Sequence, residues 1–200
     1  RESDEAVTGM AYAFSQGVTH RDMKLTNILI ASTGQAKLVD FGLAGIFARK
    51  GLELDRANSE KVDRTVDYAG LEKRTGVKPG DVRSDIYFLG AVLFELLTGR
   101  SPLVMTKDAR QRMSAQRFDE VKPMVKGEIN APTSLYQLVE RLMSLEPRYR
   151  YQTPNQVLEA IKEVKQDLGI GTGEGGALVR KPVQKSIFIV EKDEIGRAHV

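Results

Sequence analysis

The sequence predicts an α+β fold that is mainly helical, with one short β-hairpin near its start. Three observations predict it. Ile28-Leu29-Ile30-Ala31 and Ala36-Lys37-Leu38-Val39 are apolar runs separated by Ser32-Thr33-Gly34-Gln35, the pattern of two strands joined by a tight turn. Residues 4–16 and 133–145 repeat apolar side chains at helical spacing. Residues 85–97 are apolar on nearly all sides, as a buried helix is.

In chain order, Ala6, Val7, Met10, Ala11 and Phe14 follow an i, i+3, i+4 rhythm, and Gly17 stops that helix as a C′ residue. His20-Arg21-Asp22-Met23-Lys24-Leu25-Thr26-Asn27 then precedes the hairpin, and Asp40-Phe41-Gly42 follows it. Closing the hairpin brings together the loops at its open end, so Asp22, Lys24, Asn27 and Asp40 converge. One base candidate, one cation, one amide and one carboxylate suit the positioning of a hydroxyl against a metal-bound phosphate.

Residues 43–72 form a long polar segment without clear periodicity, and Lys73 to Arg83 is a turn-rich connector holding Gly76 and Pro79-Gly80. The 13 residues 85–97 close on Thr98-Gly99 and are too few to cross a membrane, which takes about 20. Lys107, Arg110, Arg112 and Arg117 within 104–118 form either a docking face for an acidic partner or a solvated helix face. Residues 133–145 read as a helix with a Thr or Ser cap, and Pro154 opens a closing helix over 154–167. Gly169 to Gly176 reads as a flexible linker.

Bulk composition narrows the classes. A hydrophobic content of 41% supports a real core. A net charge of +3 is too small and dispersed to argue for nucleic acid or a membrane surface. With no cysteine there is neither a disulfide nor a thiolate metal site, which suits the cytoplasm, the expected location. Oligomeric state is not legible.

HRDMKLTN followed by DFG resembles the catalytic loop and metal-binding motif of the eukaryotic-like, bacterial-type serine/threonine protein kinases. Met23 and Leu25 stand at the family's usual Leu and Pro, and Ala13-Phe14 at its usual Leu-His. The resemblance implies a protein-kinase-like fold, ATP and Mg2+ as cofactors, and protein substrates carrying Ser or Thr. It implies that Asp22 accepts or orients the hydroxyl proton and that Lys24 neutralises the transferring phosphoryl group. Asn27 and Asp40 would hold magnesium, and Leu29 would floor the adenine pocket. Thr65-Val66-Asp67-Tyr68-Ala69-Gly70-Leu71-Glu72 aligns on the family's T-P-x-Y-x-A-P-E, with Thr65 as the threonine that contacts the catalytic base. Asp85 would anchor the catalytic-loop backbone, its plainer reading being an N-cap. Arg150, in Glu146-Pro147-Arg148-Tyr149-Arg150, would be the buried partner of Glu72. Arg21 would capture a phosphorylated residue of the polar segment, with Ser59 the candidate.

No G-x-G-x-x-G and no V-A-I-K-type lysine precede residue 20. The expected organisation is therefore a kinase large (C-terminal) lobe over 1–168, without the N-terminal lobe, and a linker over 169–185. Residues 186–194 resemble the first strand of a receiver domain. Residues 195–200 read as a non-native tail, because ATCGGAAGAGCACACGTC, a sequence like a sequencing adapter, can encode them. The expected function is ATP-dependent phosphorylation of protein Ser/Thr hydroxyls by a signalling kinase, this stretch being inactive alone. A pseudokinase scaffold and a small-molecule phosphotransferase are the alternatives.

Overall fold

The computed structural model describes residues 2–41 and 59–170, with side chains described from Glu5 and, in the second stretch, from Val66. Helix α1 spans Glu2–Ser15, and strands β1 (Ile28–Ile30) and β2 (Ala36–Leu38) form an antiparallel pair with Leu29 opposite Lys37. Helices α2 (Ser59–Thr75), α3 (Val82–Thr98), α4 (Ala109–Arg112), α5 (Gln116–Asp119), α6 (Thr133–Leu142) and α7 (Pro154–Asp167) follow.

Among the described residues, the expected helices and hairpin form, for local reasons. Gly17 adopts φ 73°, and the Val18 N–H donates to the Ala13 carbonyl at 3.0 Å, so α1 ends in a left-handed cap. The hairpin turns through Gly34 at φ 76°. Helix α3 starts at Asp81, whose carboxylate accepts from the Arg83 N–H, and ends on Gly99 at φ 72°. Asp81, not Asp85, is thus the N-cap, which releases Asp85 for another task. Helix α6 starts after Pro132 without a side-chain cap, so the expected Thr or Ser cap is absent there. Helix α7 runs from Pro154, with Thr153 accepting from the Gln156 N–H as N-cap.

The polar segment behaves differently from its sequence expectation. From Ser59 it is helical, as α2. Among its described side chains Val66, Tyr68, Gly70, Leu71 and Glu72 are buried, a mix of apolar, polar and glycine positions that does not register as hydrophobic periodicity. No proline lies between 59 and 75, so nothing breaks the helical hydrogen bonding. The basic run 104–118 also departs, forming two four-residue helices rather than one face.

Helix α3 is the core. Ile86, Tyr87, Phe88, Leu89, Leu93 and Phe94 pack with Leu138, Val139 and Leu142 of α6 and with Val157, Ile161 and Val164 of α7. The α3–α6 contact is made close by Gly90, where an added Cβ would lie 2.7 Å from both Leu142 Cβ and Met143 Cγ. Gly90→Ala should therefore cost about 1–3 kcal/mol through overpacking. Gly9→Ala is the control, since its Cβ would meet only Leu38 Cβ at an ordinary 3.7 Å and the helix propensity improves. Urea denaturation should show the first destabilised and the second not. Equal midpoints would mean that α3 and α6 have room to spare.

Candidate active site

The loop from Val18 to Asn27 is fixed from below by one carboxylate. Asp85, in the first turn of α3 and 1% exposed, accepts from the His20 N–H at 2.7 Å and the Arg21 N–H at 2.8 Å. The Tyr68 hydroxyl donates to the same carboxylate at 2.8 Å and accepts from the Met23 N–H at 3.0 Å. Burial pushes the Asp85 carboxyl up, and the Arg21 and His20 N–H groups and the Tyr68 hydroxyl pull it back. Burial, with Asp85 beside it, pushes the Tyr68 phenol well above its ordinary value, so it stays protonated and donating.

His20 ties this loop to the residue that follows β2. Its Nδ1 lies 3.2 Å from the Asp22 N–H and its Nε2 lies 2.9 Å from the Val39 carbonyl. A ring nitrogen facing an N–H must accept, so Nδ1 accepts from the Asp22 N–H and Nε2 donates to the Val39 carbonyl. The ring also stands edge-on to Phe41, centroids 4.6 Å apart. The Val39 N–H donates to the Asn27 carbonyl at 2.9 Å, which holds the chain next to Asp40 against Asn27.

Above this frame the functional side chains meet. Lys24 Nζ lies 3.0 Å from Asp22 Oδ2, and Asn27 Nδ2 donates to that oxygen at 2.9 Å and to the Asp22 carbonyl at 2.8 Å. The Asn27 amide nitrogen is thus spent on orienting Asp22, so its oxygen is the atom suited to a cation. Arg21 and Asp40 hold φ of 63° and 64°, left-handed values costing a residue with a Cβ roughly 1–2 kcal/mol. Such strain flanking two carboxylates fits a functional loop.

Asp22, Lys24 and Asn27 are therefore in direct contact, and Asp40 follows from the hairpin. Leu29 lies half-buried on β1. Thr65 is on α2, but its side chain, like that of Ser59, falls outside the described residues, as do Gly42, the strand expected at 186–190 and the tail. His20 and Tyr68 carry functions that the sequence reading did not assign. The sequence signal for both was their place in the matched motifs. What was missing was a reason for a histidine to bond two backbone groups and for a phenol to bridge two elements.

One expected pair does not form. Arg150, 1% exposed, donates to the Arg83 and Leu145 carbonyls at 2.9 and 3.0 Å and to that of Ser144, and lies over the Tyr87 ring. Burial pulls its guanidinium down to about 10. Glu72 instead faces Arg21, with Nη2 3.9 Å from Oε1, and accepts from the Gly80 N–H at 3.3 Å. The physical reason is that the turn at 144–145 and the first turn of α3 at Arg83 present carbonyls that a planar, five-donor guanidinium satisfies directly. Arg21, 4% exposed, faces Glu72, and the side chain of Ser59, its expected phosphorylated partner, lies outside the described residues.

A double-mutant cycle separates these arrangements. Losses from Glu72→Ala and Arg21→Ala should be non-additive, and those from Glu72→Ala and Arg150→Ala additive within about 0.5 kcal/mol. The reverse pattern would restore the Glu72–Arg150 pair. Burial raises the Glu72 carboxyl above its ordinary 4.5, against the pull of Arg21 and the Gly80 N–H. The folded chain then binds more protons than the unfolded chain above pH 4.5, so this group's stability contribution falls as pH rises through the raised value. Glu72→Gln should flatten that slope.

Residues 3–162 match the family described as the protein kinase domain. The chain belongs to that family. Serine/threonine-protein kinase PknB of Mycobacterium tuberculosis is 32% identical over 149 residues, covering 74% of this chain and 23% of the relative. The probable serine/threonine-protein kinase PknB of Lactococcus lactis is 29% identical over 191 residues, covering 95% and 28%. Serine/threonine-protein kinase PknD of Protochlamydia amoebophila is 32% identical over 169 residues, covering 76% and 17%. The chain thus spans about a quarter or less of the length of these kinases. The family match ends before the linker and lends no support to a receiver domain beyond it. Among the described residues, no helix is long and apolar enough to cross a membrane.

Proposed function

We propose that this chain is the large catalytic lobe of an ATP-dependent protein serine/threonine kinase and works with a phosphate-covering lobe elsewhere in a longer protein. The observation that carries the reading is the Asp22 carboxylate held by both Lys24 and Asn27, with Val39, the residue before Asp40, bonded to the Asn27 carbonyl. Asp22 orients the substrate hydroxyl and takes its proton. Lys24, bonded to the same carboxylate, offsets the negative charge that gathers on the phosphoryl oxygens. The His20, Tyr68 and Asp85 frame keeps these atoms from rearranging as that charge develops.

One carboxylate and one amide oxygen, on Asp40 and Asn27, fit magnesium, which takes few protein ligands and completes its shell with phosphate and water. When bound, the ion supplies neutralisation of the phosphates. Leu29 supplies apolar surface for the adenine ring, and Thr65 a hydroxyl for the base. The test is incubation of the full-length protein with radiolabelled ATP, Mg2+ and protein substrates, followed by phosphoamino-acid analysis. Label on serine and threonine is expected. Label confined to small molecules, or ATP binding without transfer, would contradict the reading.

A further inference from the structure

Helix α2 is held on two sides. On one, Gly70 lets it come so close to α4 and α5 that an added Cβ would lie 2.9 Å from the Arg112 carbonyl oxygen and 3.1 Å from the Phe118 ring. Arg112 Nη2 lies 2.6 Å from Asp67 Oδ2, and Arg117 Nη1 bonds the same carboxylate. Phe118 is 1% exposed and belongs to the core, so this seat is a packed wall with ion pairs along it.

On the other side, Tyr68 reaches the catalytic loop. Two residues are about 200° apart round an α-helix, so the phenol and Gly70 meet different neighbours. The Tyr68 ring is buried and stacks on Phe88 of α3 with centroids 4.3 Å apart. A ring packed in this way carries its hydroxyl wherever the helix backbone goes. That hydroxyl spans two elements, donating to Asp85 at 2.8 Å and accepting from the Met23 N–H at 3.0 Å. The Met23 N–H belongs to the planar peptide group that joins Asp22 to Met23, so moving the phenol turns the plane next to Asp22.

We propose that Tyr68 is a positioning residue that makes the aim of Asp22 depend on how α2 is seated on α4 and α5. The proposal rests on the kinase reading for the reaction in which Asp22 is used. With α2 seated, the hydroxyl fills the gap between Asp85 and the Met23 N–H, and the 22–23 peptide is tied through it to a buried carboxylate. With α2 displaced at the Gly70 side, the hydroxyl is drawn out of that gap and the peptide is free to turn. A change at the α4–α5 seat then slows transfer without touching a group assigned to ATP.

The test combines transfer kinetics with amide hydrogen exchange in the full-length protein. Gly70→Ala disturbs the seat, Tyr68→Phe cuts the link, and Gly90→Ala, at the α3–α6 contact, is the control for destabilisation alone. Rates are taken below the onset of unfolding of each variant. Tyr68→Phe should lower kcat about tenfold or more with KM for ATP within about twofold, whereas Gly90→Ala should change kcat by less than about twofold. Gly70→Ala should also lower kcat about tenfold, but by less than about twofold when added to Tyr68→Phe, because the link is already cut. Exchange of the amides in 18–24 should rise in Tyr68→Phe and in Gly70→Ala, and no further in the double variant. If Gly70→Ala does not fold, Tyr68→Phe against Gly90→Ala decides alone. Equal kcat in those two, or losses that multiply in the double variant, would overturn the proposal. Absence of transfer by the wild type with the exchange pattern intact would overturn the kinase reading and leave this coupling standing.

Discussion

Asp85→Ala is expected to destabilise the protein by at least about 3 kcal/mol and to abolish whatever activity the loop has. Its carboxylate satisfies the His20 N–H, the Arg21 N–H and the Tyr68 hydroxyl, all within a buried frame. Each buried donor left without an acceptor costs about 1–3 kcal/mol. Two of the three lie immediately before the left-handed turn of the backbone at Arg21, so their loss also releases a strained backbone. Tyr68→Phe removes only the hydroxyl bridging Met23 to Asp85 and should cost less, about 1–2 kcal/mol. Chemical denaturation of the two variants checks the order. Similar losses would mean that the phenol, and not the carboxylate, is the hub.

The arrangement of the site was legible in the sequence where local rules decide it. Two apolar runs around Ser32-Thr33-Gly34-Gln35 can close only as a hairpin, so the meeting of Asn27 with the Asp40 side of the loop followed from short-range geometry. Pro154 after Thr153 and Gly99 after Thr98 fixed helix ends for the same reason. Long-range pairings were less legible. Arg150 was expected on Glu72, yet its donors go to the adjacent Ser144 and Leu145 carbonyls and to the Arg83 carbonyl at the start of α3, and no spacing rule reports where a carbonyl points. Likewise Arg112 and Arg117 looked like a solvated or docking face. Their partner Asp67 lies 45 and 50 residues earlier in the chain, on a helix whose buried positions include Gly70 and Glu72 and so do not read as apolar periodicity.

Asp22→Asn should leave the fold intact and remove phosphoryl transfer. Asparagine keeps the shape of the side chain and can still meet the Asn27 amide, but it cannot take a proton and no longer offers Lys24 a charge. General-base assistance contributes about 10²–10⁴-fold to rate, so kcat should fall by at least about a hundredfold. ATP binding should change little, because Asp22 is assigned to the hydroxyl and not to the nucleotide. The direct test is the rate of γ-phosphate transfer from radiolabelled ATP to a protein serine by the full-length protein and by its Asp22→Asn variant, with circular dichroism and urea midpoints matched. The account predicts rapid transfer by the first and a loss of at least a hundredfold in the second. Equal rates from two equally folded proteins would contradict it.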